Sequence, residues 1–289
     1  MKKKFWISSS YFKAKNIDEL VMKMDELGFK RVELTAGLDY EENIANKLIN
    51  YEKEGYEFLI HNYFPKPVDD FVINLSTENK ELESKTLDLC MNSIKIASKL
   101  RNKVYSLHSG FAFEMTTDLI GNLEKQKSYL RNQEYNVEKN LEIMIKNSNK
   151  ILRFADNLGV SIYFENNMIP NYNFKDVQNI PYHLIEPGGI KNFFERVEYA
   201  NCGLMLDVSH AKIVSEILSI NPYEFFNIDN IGYLQLSESD GFKDASETFN
   251  EKSWFFDKLS NFEKEFLILE IKETRISDFE KLEKIIQKI

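Results

Sequence analysis

The sequence predicts a single α/β domain folded as a (β/α)8 TIM barrel. Three observations carry that reading. The 289 residues contain eight short apolar runs separated by longer amphipathic stretches. The runs are almost continuously apolar, as strands buried on both faces are. The chain has the length of one barrel and shows no linker or low-complexity break, so 1–289 reads as one domain. An open doubly wound sheet is the alternative, weakened because no G-x-G-x-x-G follows the first run.

The strands are expected in "FWIS" (5–8), "RVELT" (31–35), "EFLIHN" (57–62), "KVYSLHS" (103–109), "SIYFENN" (161–167), "GLMLDVS" (203–209), "IGYLQLS" (231–237) and "FLILEIK" (266–272). Helices are expected between them. Residues 17–27 carry apolar positions at helical spacing, with Gly28 as the stop. Residues 79–100 and 137–158 read as longer helices, the second ended by Gly159, and the final "DFEKLEKIIQKI" takes Asp278 as its N-cap. Two connections, 110–137 and 167–186, are too long for turns. Both leave the C-terminal ends of strands, where long loops serve as lids or substrate walls.

Composition narrows the function. Hydrophobic residues make up 43% and charged residues 29%, which is globular rather than disordered. With a net charge of −9 and no basic face visible in the sequence, the electrostatic footprint expected for nucleic acid is weak, a local basic groove staying open. No apolar run approaches the roughly 18 residues of a membrane span. Cys90 and Cys202 lack a C-x-x-C partner and read as small core residues. The N-terminal "MKKKFWISSSYF" lacks the apolar stretch of a signal peptide. A cytoplasmic protein is expected, with neither nucleic acid nor membrane as partner.

The chemistry sits at the ends of the strands. Strand three ends on His61, strand four on His108, strand five on Glu165, and strand six on Asp207 with His210 just beyond; strand seven carries Gln235 and strand eight Glu270. In a barrel these ends converge on the face that holds active sites. Each residue alone has a plain structural reading: Asp207 as a helix cap, His61 as a satisfied core histidine, Gln235 bonded to backbone. The recurrence over consecutive strands argues for a site. Three carboxylates crowded at an apolar mouth repel one another and lose hydration unless a cation neutralises them. Glu165, Asp207 and Glu270 with the Gln235 carbonyl form an oxygen-rich set for one divalent ion, favouring Mn²⁺ or Mg²⁺ over Zn²⁺. Glu33 on strand two, another member or a plain salt bridge, stays outside this set.

The segments "LIHNYFP" (59–65), "YSLHSG" (105–110), "IYFEN" (162–166), "LMLDVSH" (204–210), "LQLSESDG" (234–241) and "LILEIK" (267–272) resemble the xylose isomerase-like barrel superfamily over essentially the whole chain. That group holds sugar isomerases and epimerases, inosose dehydratases and abasic-site endonucleases. The resemblance implies that Glu165, Asp207 and Glu270 bind one metal, with Gln235 where many members have His. The nuclease branch resembles this chain at His61, His108, Glu165, Asp207, His210 and Glu270, but it needs a strand-seven His and a later Asp-x-His. Here that motif reads Asp244-Ala245-Ser246, which speaks against the nuclease.

The implied reaction is a metal-dependent isomerisation or epimerisation of a small sugar-like substrate through an enediolate. Glu165 and Glu270 exchange the proton from opposite sides. His210 hydrogen-bonds a substrate hydroxyl, while His61 and His108 line the substrate pocket; Phe111, Phe113 and Tyr172 cover the sugar. A dehydratase on the same site and a degenerate sugar-binding barrel stay open as alternatives. Relatives often pair, so a homodimer is one open possibility for the oligomeric state.

Overall fold

The computed structural model describes residues 4–120, 122–131, 133–169, 180–262, 266–272, 274 and 276–288. Eight parallel strands close into a barrel in sequence order: β1 (Trp6–Ser8), β2 (Arg31–Leu34), β3 (Glu57–His61), β4 (Val104–His108), β5 (Ser161–Glu165), β6 (Cys202–Asp207), β7 (Ile231–Leu236) and β8 (Phe266–Leu269). The helices are α1 (Ile17–Glu26), α2 (Ile44–Lys53), α3 (Lys80–Ala97), α4 (Leu123–Arg131), α5 (Val137–Asp156), α6 (Pro187–Arg196), α7 (Val208–Leu218) and α8 (Ile276–Ile286). Among the described residues no helix is long and apolar enough to cross a membrane.

The strict strand–helix alternation expected from sequence breaks in two places. β4 is followed by both α4 and α5. Among the described residues the β7–β8 connection holds a 3₁₀ turn over Phe256–Asn261 and no α-helix. That stretch opens "SESDGFKDAS", whose Ser, Asp and Gly favour turns over helix. The last helix also starts earlier than expected. It begins at Ile276, so Asp278 lies in its first turn and accepts from Lys281 Nζ at 2.8 Å instead of capping it. An acid there still suits the helix dipole.

Period-two alternation divides the strands into two faces. The outward residues, among them Ile7, Val32, Phe58, Leu107, Phe164, Leu206, Leu234 and Leu269, join the main core beneath the helices. The inward residues Trp6, Leu59, Val104, Met205, Tyr233 and Ile268, with Tyr163 and Phe266, fill the barrel. Two residues further along five of these strands, the inward positions become His61, Glu165, Asp207, Gln235 and Glu270, with His108 at the same level of β4. The alternation that packs the barrel thus also aims a polar layer into its mouth.

Tyr163 shows how tight the interior is. Its ring lies 5.6 Å from that of Tyr233 and fills the space beside Gly203 and Gly232. A Cβ at position 203 would stand 2.5 Å from the Asn230 carbonyl oxygen and 3.1 Å from the Tyr163 ring. Backbone cannot yield as a side-chain tip can. Gly203→Ala is therefore expected to cost about 1–3 kcal/mol of stability through overpacking. Urea denaturation of the two proteins checks this, and an unchanged midpoint would show that the wall gives way.

Candidate functional site

Glu165, 1% exposed, lies at the centre of the polar layer. Its Oε2 faces His108 Nδ1 at 3.3 Å and His61 Nε2 at 3.7 Å. Its Oε1 faces His210 Nδ1 at 3.2 Å. Burial pushes this carboxyl up, yet the imidazoles of His108, His210 and His61 outweigh it and bring the group down to about 2. It is ionised at any physiological pH.

The histidines are held from behind. His61 Nδ1 and Ser106 Oγ are hydrogen-bonded at 3.0 Å, which turns Nε2 toward Glu165. Burial lowers His61 to about 4, so it is a neutral imidazole. His210 Nδ1 sits 2.9 Å from the Asn166 carbonyl oxygen, so that nitrogen carries the hydrogen. His210 Nε2 lies 3.9 Å from Asp207 Oδ2 and 3.6 Å from Asp244 Oδ2. Burial opposes charge on His210, but Asp207, Asp244 and Glu165 raise it well above the ordinary range.

Asp207 is both the helix cap that a lone strand-end Asp suggests and a member of the site. Its Oδ1 accepts the His210 N–H at 2.8 Å as the N-cap of α7. Its Oδ2 is buried without a hydrogen-bond partner. Asn166 ties β5 to β6 at this point: its Oδ1 accepts the Asp207 N–H at 2.8 Å and its Nδ2 donates to the Asp207 carbonyl at 3.1 Å. Burial, with repulsion from Asp244 and Glu165, raises Asp207 to about 7 despite His210. Glu270 follows β8 directly, its N–H donating to the Leu236 carbonyl at 3.2 Å. Burial raises it well above the carboxylate range, and Asp207, Asp244, Glu165 and Glu33 repel it further.

This arrangement suits a cation. Asp207 Oδ2 and Gln235 Oε1 are buried acceptors with no hydrogen-bond partner, a costly state unless a positive charge meets them, and Glu165 Oε2 makes no hydrogen bond although two imidazoles face it. The ligand atoms of His61, His108 and Glu165 lie within 4.8 Å of one another, and so do those of Glu165, Asp207 and His210. Each set can hold a metal ion, and Glu165 belongs to both. The three histidines expected to meet substrate therefore stand where they can also bind metal. Gln235 pairs in register with Asp207, whereas Glu270 is in neither compact set.

Sequence reasoning left several residues out. Glu33 on β2 is fully buried within the barrel; its Oε1 accepts from the Tyr233 hydroxyl and its Oε2 has no partner. Asn166 and Asn167 follow Glu165 in "FENN", a signal that a helix-and-strand reading passes over. The Asn167 Nδ2 lies within 3.0 Å of Ser109 Oγ, the Gly110 carbonyl and the His183 carbonyl, holding the β4 and β5 loops together. Asn74 does the same: its Nδ2 donates to the carbonyls of Phe111 and Phe113, and its Oδ1 accepts the N–H groups of Ser76 and Phe111. Phe111 lines the cavity above the site. Phe113 packs on Phe111, Tyr129 and Tyr182 and does not line it. Tyr172 lies outside the described residues.

Glu33 also yields a pH test. Burial raises its carboxyl from 4.5 to about 8, so the folded chain holds a proton that the unfolded chain releases across that window. Bound protons favour the folded state, and stability therefore falls as pH rises from about 4.5 to 8. Glu33→Gln is expected to flatten that fall by a few kcal/mol at most, on the order of 1.4 kcal/mol for each pH unit crossed. Thermal unfolding of metal-free protein at pH 5 and 8 checks it; equal slopes for both proteins would contradict the assignment.

Comparisons with known proteins fit this architecture. The chain is similar in structure to a D-tagatose 3-epimerase-like protein (TM-score 0.71, 18% identity, covering 100% of this chain and 99% of that one). It is also similar to 3-keto-D-glucoside 4-epimerase from E. coli (TM-score 0.68, 11% identity, 100% of both chains). A third is D-psicose 3-epimerase with D-tagatose from Clostridium cellulolyticum H10 (TM-score 0.62, 14% identity, 100% of this chain and 96% of that one). At these identities the likeness is one of fold. No curated protein sequence matches the chain. A family model, xylose isomerase-like TIM barrel, matches residues 21–288. The chain belongs to the xylose isomerase-like TIM barrel family.

Proposed function

We propose that this protein is a divalent-metal-dependent isomerase or epimerase of a small sugar or sugar-derived substrate. The observation that carries the reading is the set of buried oxygens of Glu165, Asp207 and Gln235 that make no hydrogen bond at the barrel mouth, beside a Glu270 carboxyl crowded by other acids. The epimerases among its structural neighbours are consistent with it.

Glu165, Asp207, Gln235 and Glu270 would hold the ion. When bound, it supplies positive charge beside two adjacent substrate oxygens and so favours an enediolate. Glu165 takes a proton from the carbon next to the carbonyl, and Glu270, three strands away around the barrel, returns one from the other side. His210 donates to a substrate hydroxyl, and His61 and His108 border the substrate. Mn²⁺ or Mg²⁺ suits the oxygen set; the imidazoles of His61 and His108 would instead favour Zn²⁺. A cytoplasmic location and a homodimer accompany this reading.

The test is hydrogen exchange. Protein loaded with Mn²⁺ and incubated in D₂O with a panel of ketopentoses and ketohexoses should place deuterium beside the carbonyl, detected by NMR. Glu165→Gln and Glu270→Gln should each slow conversion of the substrate to its isomer or epimer at least ~10³-fold, since loss of a general base alone costs ~10²–10⁴-fold. Normal conversion in Glu270→Gln would leave a one-base mechanism; exchange without conversion is the two-base result. Loss of water from the substrate would identify a dehydratase instead.

One observation favours a second reading. Glu165 presents one oxygen to each of two metal-capable groups, as a carboxylate bridging two ions in phosphoester hydrolysis does. Against it stand Gln235, Ser246 and a net charge of −9. We expect no incision of abasic-site DNA by Zn²⁺-loaded protein on a denaturing gel. Incision abolished by Glu165→Gln would reverse the ranking.

A further inference from the structure

The space above the polar layer says more about the substrate than the layer does. A cavity of about 350 Å³ opens over the site, with His108, His210 and Asp244 on its metal side. Away from them the described lining is mostly apolar in area, with Val72, Ile73, Phe111, Met115, Ile120 and Met168 set among Asn62, Tyr63, Gln126, Asn167 and Tyr182. The polar residues among its described lining are largely engaged. The Asn167 amide nitrogen is held by three oxygens, Gln126 Nε2 donates to the Leu119 carbonyl at 2.7 Å, and the Tyr63 hydroxyl accepts the Ile73 N–H at 2.6 Å. Asn62 keeps one buried acceptor, Oδ1, without a partner, and the Tyr63 hydroxyl, used there as an acceptor, keeps its own hydrogen, together enough for one or two hydroxyls.

A free sugar carries a hydroxyl on nearly every carbon. Each one pressed against the apolar wall without a partner loses roughly tenfold or more in affinity. An alkyl or aryl group in the same place gains by a similar factor through burial. From this asymmetry we propose that the substrate is a sugar-sized hydroxy-ketone or polyol bearing an apolar substituent, alkyl or aryl, on the end away from Glu165 and Asp207. The proposal rests on the isomerase reading and supplies its substrate class. The polar end meets the carboxylates and imidazoles, and the apolar end fills the pocket between the β3, β4 and β5 loops.

Hydroxamic acids test this without knowledge of sugar stereochemistry, because they offer two adjacent oxygens as an enediolate does. Acetohydroxamic, erythronohydroxamic and benzohydroxamic acid are titrated into Mn²⁺-loaded protein by calorimetry, with free Mn²⁺ as the reference for intrinsic chelation. The expected result is benzohydroxamate at least tenfold tighter than acetohydroxamate, with the hydroxylated erythronohydroxamate no tighter than acetohydroxamate. In the Met115→Asn/Ile120→Asn double variant the preference should fall below about threefold; Ile120 is exposed and Met115 half-buried, so the fold should tolerate both changes. Equal affinities in the parent protein, or tightest binding by erythronohydroxamate, would overturn the substrate class and leave the isomerase reading standing. If none of the three binds protein that has taken up Mn²⁺, the isomerase reading itself falls, and the substrate class with it.

Discussion

The site depends on keeping Glu165 ionised while it is buried at the end of a packed barrel. An isolated carboxylate there would take up a proton, because hydration lost on burial is not recovered from apolar neighbours. Three imidazoles reverse that outcome, and each needs a support of its own: Ser106 behind His61, the Asn166 carbonyl behind His210, and in-register pairing with Glu165 itself for His108. The arrangement leaves the other acids exposed to one another's repulsion. Asp207 and Glu270 are pushed toward protonation in the metal-free protein, and Glu33 below them remains a neutral acid around neutral pH. A cation arriving at the mouth would relieve all of this at once.

Placement of the layer follows from strand geometry. Inward residues two apart belong to successive tiers, so the tier holding Leu59, Tyr163, Met205, Tyr233 and Ile268 is followed at once by His61, Glu165, Asp207, Gln235 and Glu270. The lower tier is dense enough to demand glycine at 203 beside Tyr163. That density fixes the strands against one another, and the polar tier inherits their positions. The loops above are pinned by side-chain amides. Asn74 and Asn167 act as hubs, and Gly110, at φ +150°, passes so close to Asn74 that a Cβ would stand 2.8 Å from its Oδ1. The apolar cavity wall is thus carried on loops held by buried polar bonds, a combination that shapes a pocket without giving it many free hydrogen-bonding groups.

Two departures from the nuclease pattern bear on chemistry. Gln235 brings a neutral oxygen in place of an imidazole, which favours harder cations. Ser246 offers no imidazole, while Asp244 Oδ2 and His210 Nε2 face each other at 3.6 Å and Asp244 Oδ1 also accepts from Ser209 Oγ. Burial and its hydrogen bond to His210 act oppositely on Asp244, and the net is a lowered, ionised carboxyl that balances the His210 cation.

The sequence by itself determined the barrel, its eight strands and the polar residues at the ends of six of them, because these are local facts. A strand buried on both faces is apolar along its length, and its terminal polar residue is visible by contrast, as in "LMLDVSH" or "LILEIK". Only the tertiary structure decided how those residues divide the work. That Glu165 stands among His61, His108 and His210 depends on contacts between residues far apart in the chain, through side-chain directions that no periodicity records. Glu33 reads equally as a site member or a salt-bridge partner until Tyr233, 200 residues later, is seen to close over it. The β7–β8 connection without an α-helix among its described residues, the early start of α8 and the apolar side of the cavity belong to the same class. The start of α8 and the cavity wall follow from which loops meet above the barrel, set by packing between distant segments, whereas the β7–β8 connection also carries its own turn-forming composition.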